Sequence, residues 1–192
     1  NLGGVVNAST LKAIPGINAS LLISQSGNMG GHIVADVLLG KSIPSGRLTD
    51  TWAANYADYP SSATFSHNNG DWHDEDYVDG IFVGYRYFDT FNVTPVYPFG
   101  YGLNYTSFEM QVLSTAADEH WVSVTVQVRN TGRHPGREVV QVYGSAPREG
   151  LEKPMQVLCG FGQTRLLEPG ETQTLTVGFA LTNLESYDPA KA

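Results

Sequence analysis

Apolar and polar residues alternate along the second half of the chain. Residues 121–130 read WVSVTVQVRN, in which valines occupy every second position from Val122 to Val128. The positions between and after them carry polar side chains: Ser123, Thr125, Gln127 and Arg129. A period of two predicts a β-strand with one buried face and one solvated face.

Short strand-like segments separated by turn residues continue from Phe108 to the last residues of the sequence. They include EVVQVYG, VLCGF, TRLL and TQTLTVGFA, and in the last of these Leu175, Val177 and Phe179 alternate with polar residues. NTGRHPGR and EPGE supply the turns. We count about six strands, a spacing typical of an antiparallel sandwich of the immunoglobulin or fibronectin type III kind. A sandwich of seven strands would lack at least one of them, so we expect it to be truncated at its C-terminal side.

The first fifty residues show a different pattern, typical of an α/β fold. SLLIS, residues 20–24, is a short apolar run of the kind found in a buried parallel strand. In MGGHIVADVLLG, the apolar residues Ile33, Val34, Val37 and Leu38 recur at helical spacing, and Gly40 stands where a glycine would end the helix. The fold class predicted for the whole chain is therefore an α/β remnant followed by an antiparallel β-sandwich.

Residues 55–79 have neither a helical nor a strand period and predict a long loop, with HNNGDWHDEDY at its centre. Its carboxylates and histidines could indicate a Ca²⁺ or Zn²⁺ site, but their spacing matches neither an EF-hand nor a zinc motif. We favour a solvated acidic loop and predict no metal and no cofactor. Trp72 is the candidate binding residue, because a tryptophan in a polar loop is unusual unless it packs or binds.

Composition narrows the possible partners and the compartment. The formal net charge of −8 argues against nucleic acid, and no apolar run approaches the roughly 20 residues of a membrane span. Cys159 is the only cysteine, which excludes an internal disulfide and fits a reducing compartment. Four N-x-S/T sequons weakly favour a secretory setting instead. The compartment is therefore not determined, with a slight preference for a bacterial cytoplasm. Because the chain starts at NLGGVV without Met, we expect it to be part of a longer protein.

An aromatic and glycine-rich stretch, GIFVGYRYFDTFNVTPVYPFGYGLNYTSF, joins the two patterns. Its five tyrosines and five phenylalanines favour packing between the α/β part and the sandwich. The alternative is a sugar-binding platform, because aromatic faces stack on pyranose rings. A continuous run of Phe and Tyr fits packing better.

The order of PSGRL, GIFVGYRYFD, YPFGYGLNYTSF, GREVVQVYGSAP and LCGFGQTRLLEPGETQTLTV resembles the C-terminal part of a glycoside hydrolase family 3 enzyme of the β-glucosidase kind. The resemblance implies the C-terminal end of an α/β sandwich domain in residues 1–48. It further implies a loop and aromatic-glycine connector in 49–105, and a fibronectin type III-like domain in 106–192. The parent would be a retaining glycosidase whose nucleophile lies on a barrel domain.

No string of this sequence matches the nucleophile motif, and we assign no catalytic residue to it. The resemblance makes the barrel domain the partner and a β-glycoside the substrate of the full enzyme, with Trp72 near the aglycone side. The chain alone is expected to be inactive. It is further expected to be unstable, to dimerise, or to be held by the rest of the enzyme. Two alternatives are a carbohydrate-binding module, which would need a row of exposed aromatic residues on one sheet face, and an interdomain scaffold.

Overall fold

The computed structural model describes residues 7–188, and the chain divides into two compact units. The first unit comprises Asn1–Val34 and Leu48–Tyr101, and the second comprises Ala35–Arg47 and Gly102–Ala192. Between residues 7 and 188, no helix has the length and apolar character needed to cross a lipid bilayer.

Two helices lie near the start of the chain. Helix α1, Ala8–Ala13, begins at Asn7, whose side-chain oxygen accepts a hydrogen bond of 3.0 Å from the Thr10 amide. Helix α2, Gly30–Leu38, is the helix predicted from the apolar spacing. It ends as predicted, because Gly40 adopts a φ of +73° that suits glycine, and its amide donates to the Val37 carbonyl.

The prediction of a buried parallel strand at SLLIS is wrong. Residues 20–24 form no strand, and Leu21, Leu22 and Ile23 are exposed. A parallel strand forms only when neighbouring strands accept and donate its backbone hydrogen bonds. Within the described part of the chain, no strand lies beside this segment.

The aromatic stretch packs largely on itself within the first unit. Helix α3, Tyr85–Thr90, was not predicted and buries Phe88, which is 2% exposed. The Phe88 ring meets Tyr59 edge-on at 5.8 Å, and the Tyr85 ring meets Phe99 at 4.9 Å. Gly84 begins the helix with a φ of +56°. These contacts favour the packing interpretation over a sugar platform for this stretch.

The second unit is an antiparallel sandwich of two sheets. Its strands are β1 Phe108–Ala117, β2 Trp121–Asn130, β3 Val139–Gly144, β4 Val157–Gln163 and β5 Thr172–Ala180. One sheet has the order β1-β2-β5 and the other pairs β3 with β4. The predicted class of fold is confirmed for this part of the chain.

The described residues hold five strands, because TRLL at 164–167 is not one of them. Leu167 makes only an isolated bridge with Gly136. The Arg165 amide donates to the side chain of Gln173 on β5 at 2.8 Å, and not to a backbone carbonyl of that strand. The segment is therefore fixed by single contacts and not by a ladder.

The core of the sandwich follows the predicted alternation. Val126 and Val128 of β2 are buried with Val140, Leu167 and Val177. Val126 pairs with Leu175 and Val124 with Val177, so the apolar faces of β2 and β5 are turned to the same side. The polar residues of β2 lie on the opposite side, where the Thr125 and Thr176 hydroxyls share a hydrogen bond of 3.1 Å.

Asn130, at the end of β2, is fully buried and fully hydrogen-bonded. Its side-chain nitrogen donates to the His134 and Leu167 carbonyls, both at 2.8 Å. Its side-chain oxygen accepts from the Thr106 hydroxyl at 2.7 Å and from the Gly132 amide at 3.1 Å. The side chain therefore joins three loops at one end of the sandwich.

A largely buried ion pair in the second unit joins Arg47 to Glu138, which precedes β3. The same Glu138 oxygen accepts from the Val139 amide at 2.7 Å. The pair connects the PSGRL and GREVVQVY segments, which are 91 residues apart. Such a pair fixes geometry more reliably than it adds stability, because desolvation offsets much of the attraction.

Candidate functional site

The loop of residues 55–79 lies in the first unit and is irregular, as its sequence predicts. It contains two short 3₁₀ turns, Tyr56–Asp58 and Phe65–His67, and no strand. The first turn is closed by a capping box between Asn55 and Asp58, in which the Asn55 amide donates to the Asp58 carboxylate at 2.8 Å. The loop thus begins at a defined position.

The backbone around Trp72 is held by a pair of side-chain acceptors. The Asn69 side-chain oxygen accepts from the Asp71 amide at 3.0 Å. The Asp71 carboxylate in turn accepts from the His73 amide at 2.8 Å and the Asp74 amide at 3.2 Å. These hydrogen bonds fold residues 69–74 into consecutive Asx turns, and Trp72 lies inside the second of them.

A second group of contacts closes the base of the loop. The Ser66 amide donates to the Glu75 carboxylate at 2.9 Å, and the Thr64 hydroxyl donates to the Asp76 carbonyl at 3.4 Å. Ser66 adopts a φ of +53°, which is uncommon for a residue with a side chain. Residues 67–74 therefore project from a base that is held on both sides.

Several aromatic side chains on this loop are turned to solvent, whereas Tyr59 packs against Phe88. Trp72 is 77% exposed and Tyr77 is 87% exposed, and Phe65 is also exposed. The structure thus places the predicted residue Trp72 on an accessible surface. We did not single out Tyr77, although its place in a polar run beside Asp76 is the same signal that identified Trp72.

Several carboxylates are neighbours of these aromatic residues in the sequence, and the pKa of one of them, Asp71, is shifted. The His73 and Asp74 amides stabilise the charged form of Asp71 and hold the pKa of its carboxyl below the ordinary value. Over residues 7–188, no group of three or more His, Cys, Asp or Glu side chains is placed to hold a metal ion. Charge and hydrogen-bond acceptors are therefore the properties that the loop adds to its aromatic surface.

The loop combines an apolar ring surface with hydrogen-bond acceptors. An exposed indole offers a flat apolar face, and neighbouring carboxylates accept hydrogen bonds from hydroxyl groups. Retaining glycoside hydrolysis instead needs two carboxyl groups about 5 Å apart in defined roles. The sequence assigns no such pair to this chain, and that assignment stays a prediction.

Cys159 lies on β4, away from this loop in sequence, and is buried as predicted. Burial raises the pKa of its thiol, although a backbone hydrogen bond at Gly144 opposes the shift. A raised pKa keeps the thiol protonated and suits a packing role better than a nucleophilic one.

Residues 1–105 match the family model of the glycosyl hydrolase family 3 C-terminal domain. The chain belongs to glycosyl hydrolase family 3. Residues 138–192 match the model of a fibronectin type III-like domain. The family inferred from the ordered sequence motifs is confirmed.

Relatives of this family 3 chain include several β-glucosidases. It is 43% identical over 206 residues to β-glucosidase A of Butyrivibrio fibrisolvens, a match that covers 98% of this chain and 24% of the relative. It is also 43% identical over 189 residues to a β-glucosidase of Ruminococcus albus, covering 98% of this chain and 19% of the relative. The chain therefore spans a quarter or less of the length of these relatives.

A solved structure shows the same fold. β-Glucosidase 3B from Thermotoga neapolitana, determined in complex with glucose, superposes with a TM-score of 0.82 at 42% identity. The superposition covers 87% of this chain and 23% of that one.

Proposed function

We propose that this chain is the accessory, structural portion of a retaining β-glycoside hydrolase of the β-glucosidase type. The observation that carries the proposal is the 43% identity to a β-glucosidase over 98% of the chain. Residues 1–48 form the end of its α/β sandwich domain, residues 49–105 the loop and connector, and residues 106–192 the fibronectin type III-like domain. The remaining, larger part of the glycosidase, including its barrel domain, is the partner.

Catalysis in such an enzyme proceeds by double displacement. One carboxylate attacks the anomeric carbon while a carboxylic acid protonates the leaving oxygen, and water then releases the sugar from the glycosyl-enzyme. Both groups belong to the partner in this proposal. The residues of this chain support the fold and border the substrate, and the chain alone does not hydrolyse glycosides.

Trp72 is proposed to border the aglycone side of the sugar site. Three properties support this role: its indole is exposed, its backbone is fixed by Asp71, and carboxylates follow it in the sequence. A ring whose backbone is already ordered loses less conformational freedom when a ligand stacks on it. Tyr77 is a second exposed ring on the same loop.

Hydrolysis of a panel of p-nitrophenyl β-glycosides tests the main proposal. The purified 192-residue chain is expected to cleave none of them. The glycosidase polypeptide that carries these residues is expected to cleave at least one, with retention of the anomeric configuration. Cleavage by the isolated chain, or inversion by the larger protein, would contradict the proposal.

Substitution of Trp72 tests its contact with the aglycone. In the glycosidase polypeptide, Trp72→Ala is expected to raise KM for an aryl β-glucoside roughly 2- to 12-fold, which corresponds to about 0.5–1.5 kcal/mol for one stacked ring. Trp121→Ala is the control, because Trp121 is exposed on β2 and has no proposed role in binding. Equal KM values for the two variants would show that Trp72 does not contact the aglycone.

The alternative of a free carbohydrate-binding module finds less support. The outward face of the β1-β2-β5 sheet carries Gln127, Thr125 and Thr174 in place of a row of aromatic rings. A homodimer of the isolated chain stays a prediction, and sedimentation velocity over a range of concentrations checks it.

A further inference from the structure

Residues 68–70 of the exposed loop read NNG, so that Asn69 directly precedes Gly70. The side-chain amide of an asparagine can be attacked by the backbone nitrogen of the next residue, which closes a five-membered ring. The attack is intramolecular, so its rate depends on how freely that nitrogen reaches the side-chain carbon Cγ. Glycine is the most permissive successor, because it has no Cβ to obstruct the approach. Asn69 is the only asparagine of the sequence that glycine follows.

The structure leaves the peptide unit between these two residues accessible. Asn69 and Gly70 are both exposed. Gly70 adopts a φ of +87°, and a Cβ added to it would meet no atom within 4 Å, so the space on that side of the backbone is open. In the described part of the chain, no hydrogen bond holds the Gly70 amide. The nitrogen that must lose its proton and attack is therefore not fixed by a partner.

A hydrogen bond of the Asn69 side chain favours the attack. Its oxygen Oδ1 accepts from the Asp71 amide at 3.0 Å. Attack at Cγ moves negative charge onto Oδ1, and a donor already directed at that oxygen stabilises the charge. The reaction retains Oδ1 and expels the side-chain nitrogen Nδ2. The contact with Asp71 therefore does not have to break for the ring to close.

Two other asparagines lack this combination. Asn68 is followed by a residue with a side chain, and its own side-chain nitrogen donates to the Ser62 carbonyl at 3.0 Å. Asn130 is buried, and the amide of the next residue, Thr131, donates to the Ser107 carbonyl at 2.8 Å. The leaving nitrogen is held in the first case, and the attacking nitrogen is held in the second.

We propose that Asn69 is a site of spontaneous covalent modification, at which the folded loop converts asparagine to aspartate and isoaspartate through a cyclic imide. The Gly70 nitrogen bonds to Cγ of Asn69 and gives up its proton, the Cγ–Nδ2 bond breaks, and ammonia leaves. Water then opens the imide at one of its two carbonyl carbons. Water is the sole co-reactant, and the reaction does not depend on the proposed glycosidase function.

The products change the turn that carries Trp72. Each product adds one carboxylate to a chain whose formal net charge is already −8. In isoaspartate the former side-chain carbon Cγ becomes part of the backbone, which lengthens the main chain by one atom. The oxygen that accepted from the Asp71 amide is then a backbone oxygen, so the turn before Trp72 does not keep its geometry. Modification therefore alters the surface around Trp72 as the protein ages.

Incubation of the 192-residue chain at mildly alkaline pH, followed by peptide mass spectrometry, tests the proposal. Conversion at each asparagine is followed by the gain of one mass unit, and electron-transfer dissociation distinguishes isoaspartate from aspartate. Asn69 is expected to react at least about tenfold faster than Asn68 and Asn130, with isoaspartate among its products. The rate should rise with pH, because the attacking nitrogen must lose its proton.

Two neighbouring substitutions separate this site from general ageing of the chain. Ion-exchange chromatography measures the species that gains a negative charge during incubation. Asn69→Gln is expected to abolish most of this species, because glutamine would have to close a larger ring. Asn68→Gln makes the same change one residue earlier and is expected to preserve it. Both positions are exposed, so both variants should fold, which circular dichroism verifies.

A parallel incubation in urea shows whether the folded loop leaves the site open. The rate at Asn69 in the folded chain is expected to lie within roughly threefold of the rate in urea, because the attacking amide has no protecting hydrogen bond. Hydrogen exchange at the Phe91 and Val93 amides reports folding of the first unit, since they donate to the Tyr87 and Phe88 carbonyls.

Four results would overturn the proposal. They are a rate at Asn69 no higher than that at Asn68, an acidic species that forms equally in Asn69→Gln, and a folded-chain rate more than about tenfold below the rate in urea. The fourth is unprotected exchange at Phe91 and Val93 during incubation, which would assign the reaction to an unfolded chain. All four are independent of glycoside cleavage, so failure here is distinguishable from failure of the proposed function.

Discussion

In the second unit the valine-rich face of β2 is buried between two sheets, whereas in the first unit residues 55–79 form no strand and are held by side chains that bind the backbone. A ladder repeats the same contact at every second residue, so no single pair decides it. The loop depends on a few contacts, such as those of Asp71 and Glu75.

This difference corresponds to a difference in role. A repeated ladder gives a stable frame, and a loop fixed at a few positions presents side chains to solvent without burying them. The aromatic cluster around Phe88 is intermediate, because its backbone is partly a short helix and partly loop, while the Phe88 side chain is buried. The first unit therefore has a local core of its own, built from rings instead of alternating valines.

The largest effect is expected from removing that local core. Phe88→Ala deletes a buried ring that contacts Tyr59 and Tyr87, and should lower the free energy of unfolding by about 3–5 kcal/mol. Urea unfolding followed by tryptophan fluorescence measures the change. Phe91→Ala, at an exposed ring that follows the same helix, should cost much less. Equal costs would mean that the first unit lacks a separate aromatic core.

A smaller effect is expected at the end of the sandwich. Asn130→Ala leaves the His134 carbonyl without its side-chain donor and removes one of the two hydrogen bonds at the Leu167 carbonyl and at the Gly132 amide, at a cost of about 2–3 kcal/mol. Chemical denaturation of the variant gives this value. Asn104→Ala is the matched control, because Asn104 is only half-buried and its hydrogen bond to the Arg137 carbonyl is exposed to solvent. If the control costs as much, buried hydrogen bonding does not distinguish the two sites.

The smallest effect concerns pH and the turn before β5. The Arg165 side chain, assisted by the Glu168 amide, lowers the pKa of Glu171 from 4.5 to about 2. A lowered pKa in the folded state contributes stability above pH 4.5, and this contribution is lost as pH falls from 4.5 towards 2. Glu171→Gln should therefore lower Tm slightly at pH 7 and leave it unchanged near pH 2 relative to the parent. An equal difference in Tm at both pH values would contradict the assignment.

The strands were predictable where the pattern was long. The alternation from Val122 to Val128 and the helical spacing before Gly40 both appear in the structure, since each is set by neighbours within one element. The predictions of strands at TRLL and SLLIS were wrong, because a short apolar run does not indicate whether another strand lies beside it. Trp72 was identifiable as an exposed ring in a polar loop. The sequence does not predict, however, that the Ser66 amide donates a hydrogen bond to the Glu75 carboxylate.

The sequence by itself determined the family, the alternation of the sandwich strands and the irregular loop, because these depend on residue order and on local periodicity. Only the tertiary structure decided that Arg47 pairs with Glu138 and that Met110 and Val112 stay open while Val126 and Val128 are buried. The same period of two runs through β2 and through β1 as far as Val112, where a bulge interrupts it. Burial depends on what lies opposite each strand, and that is a contact between residues far apart in the chain.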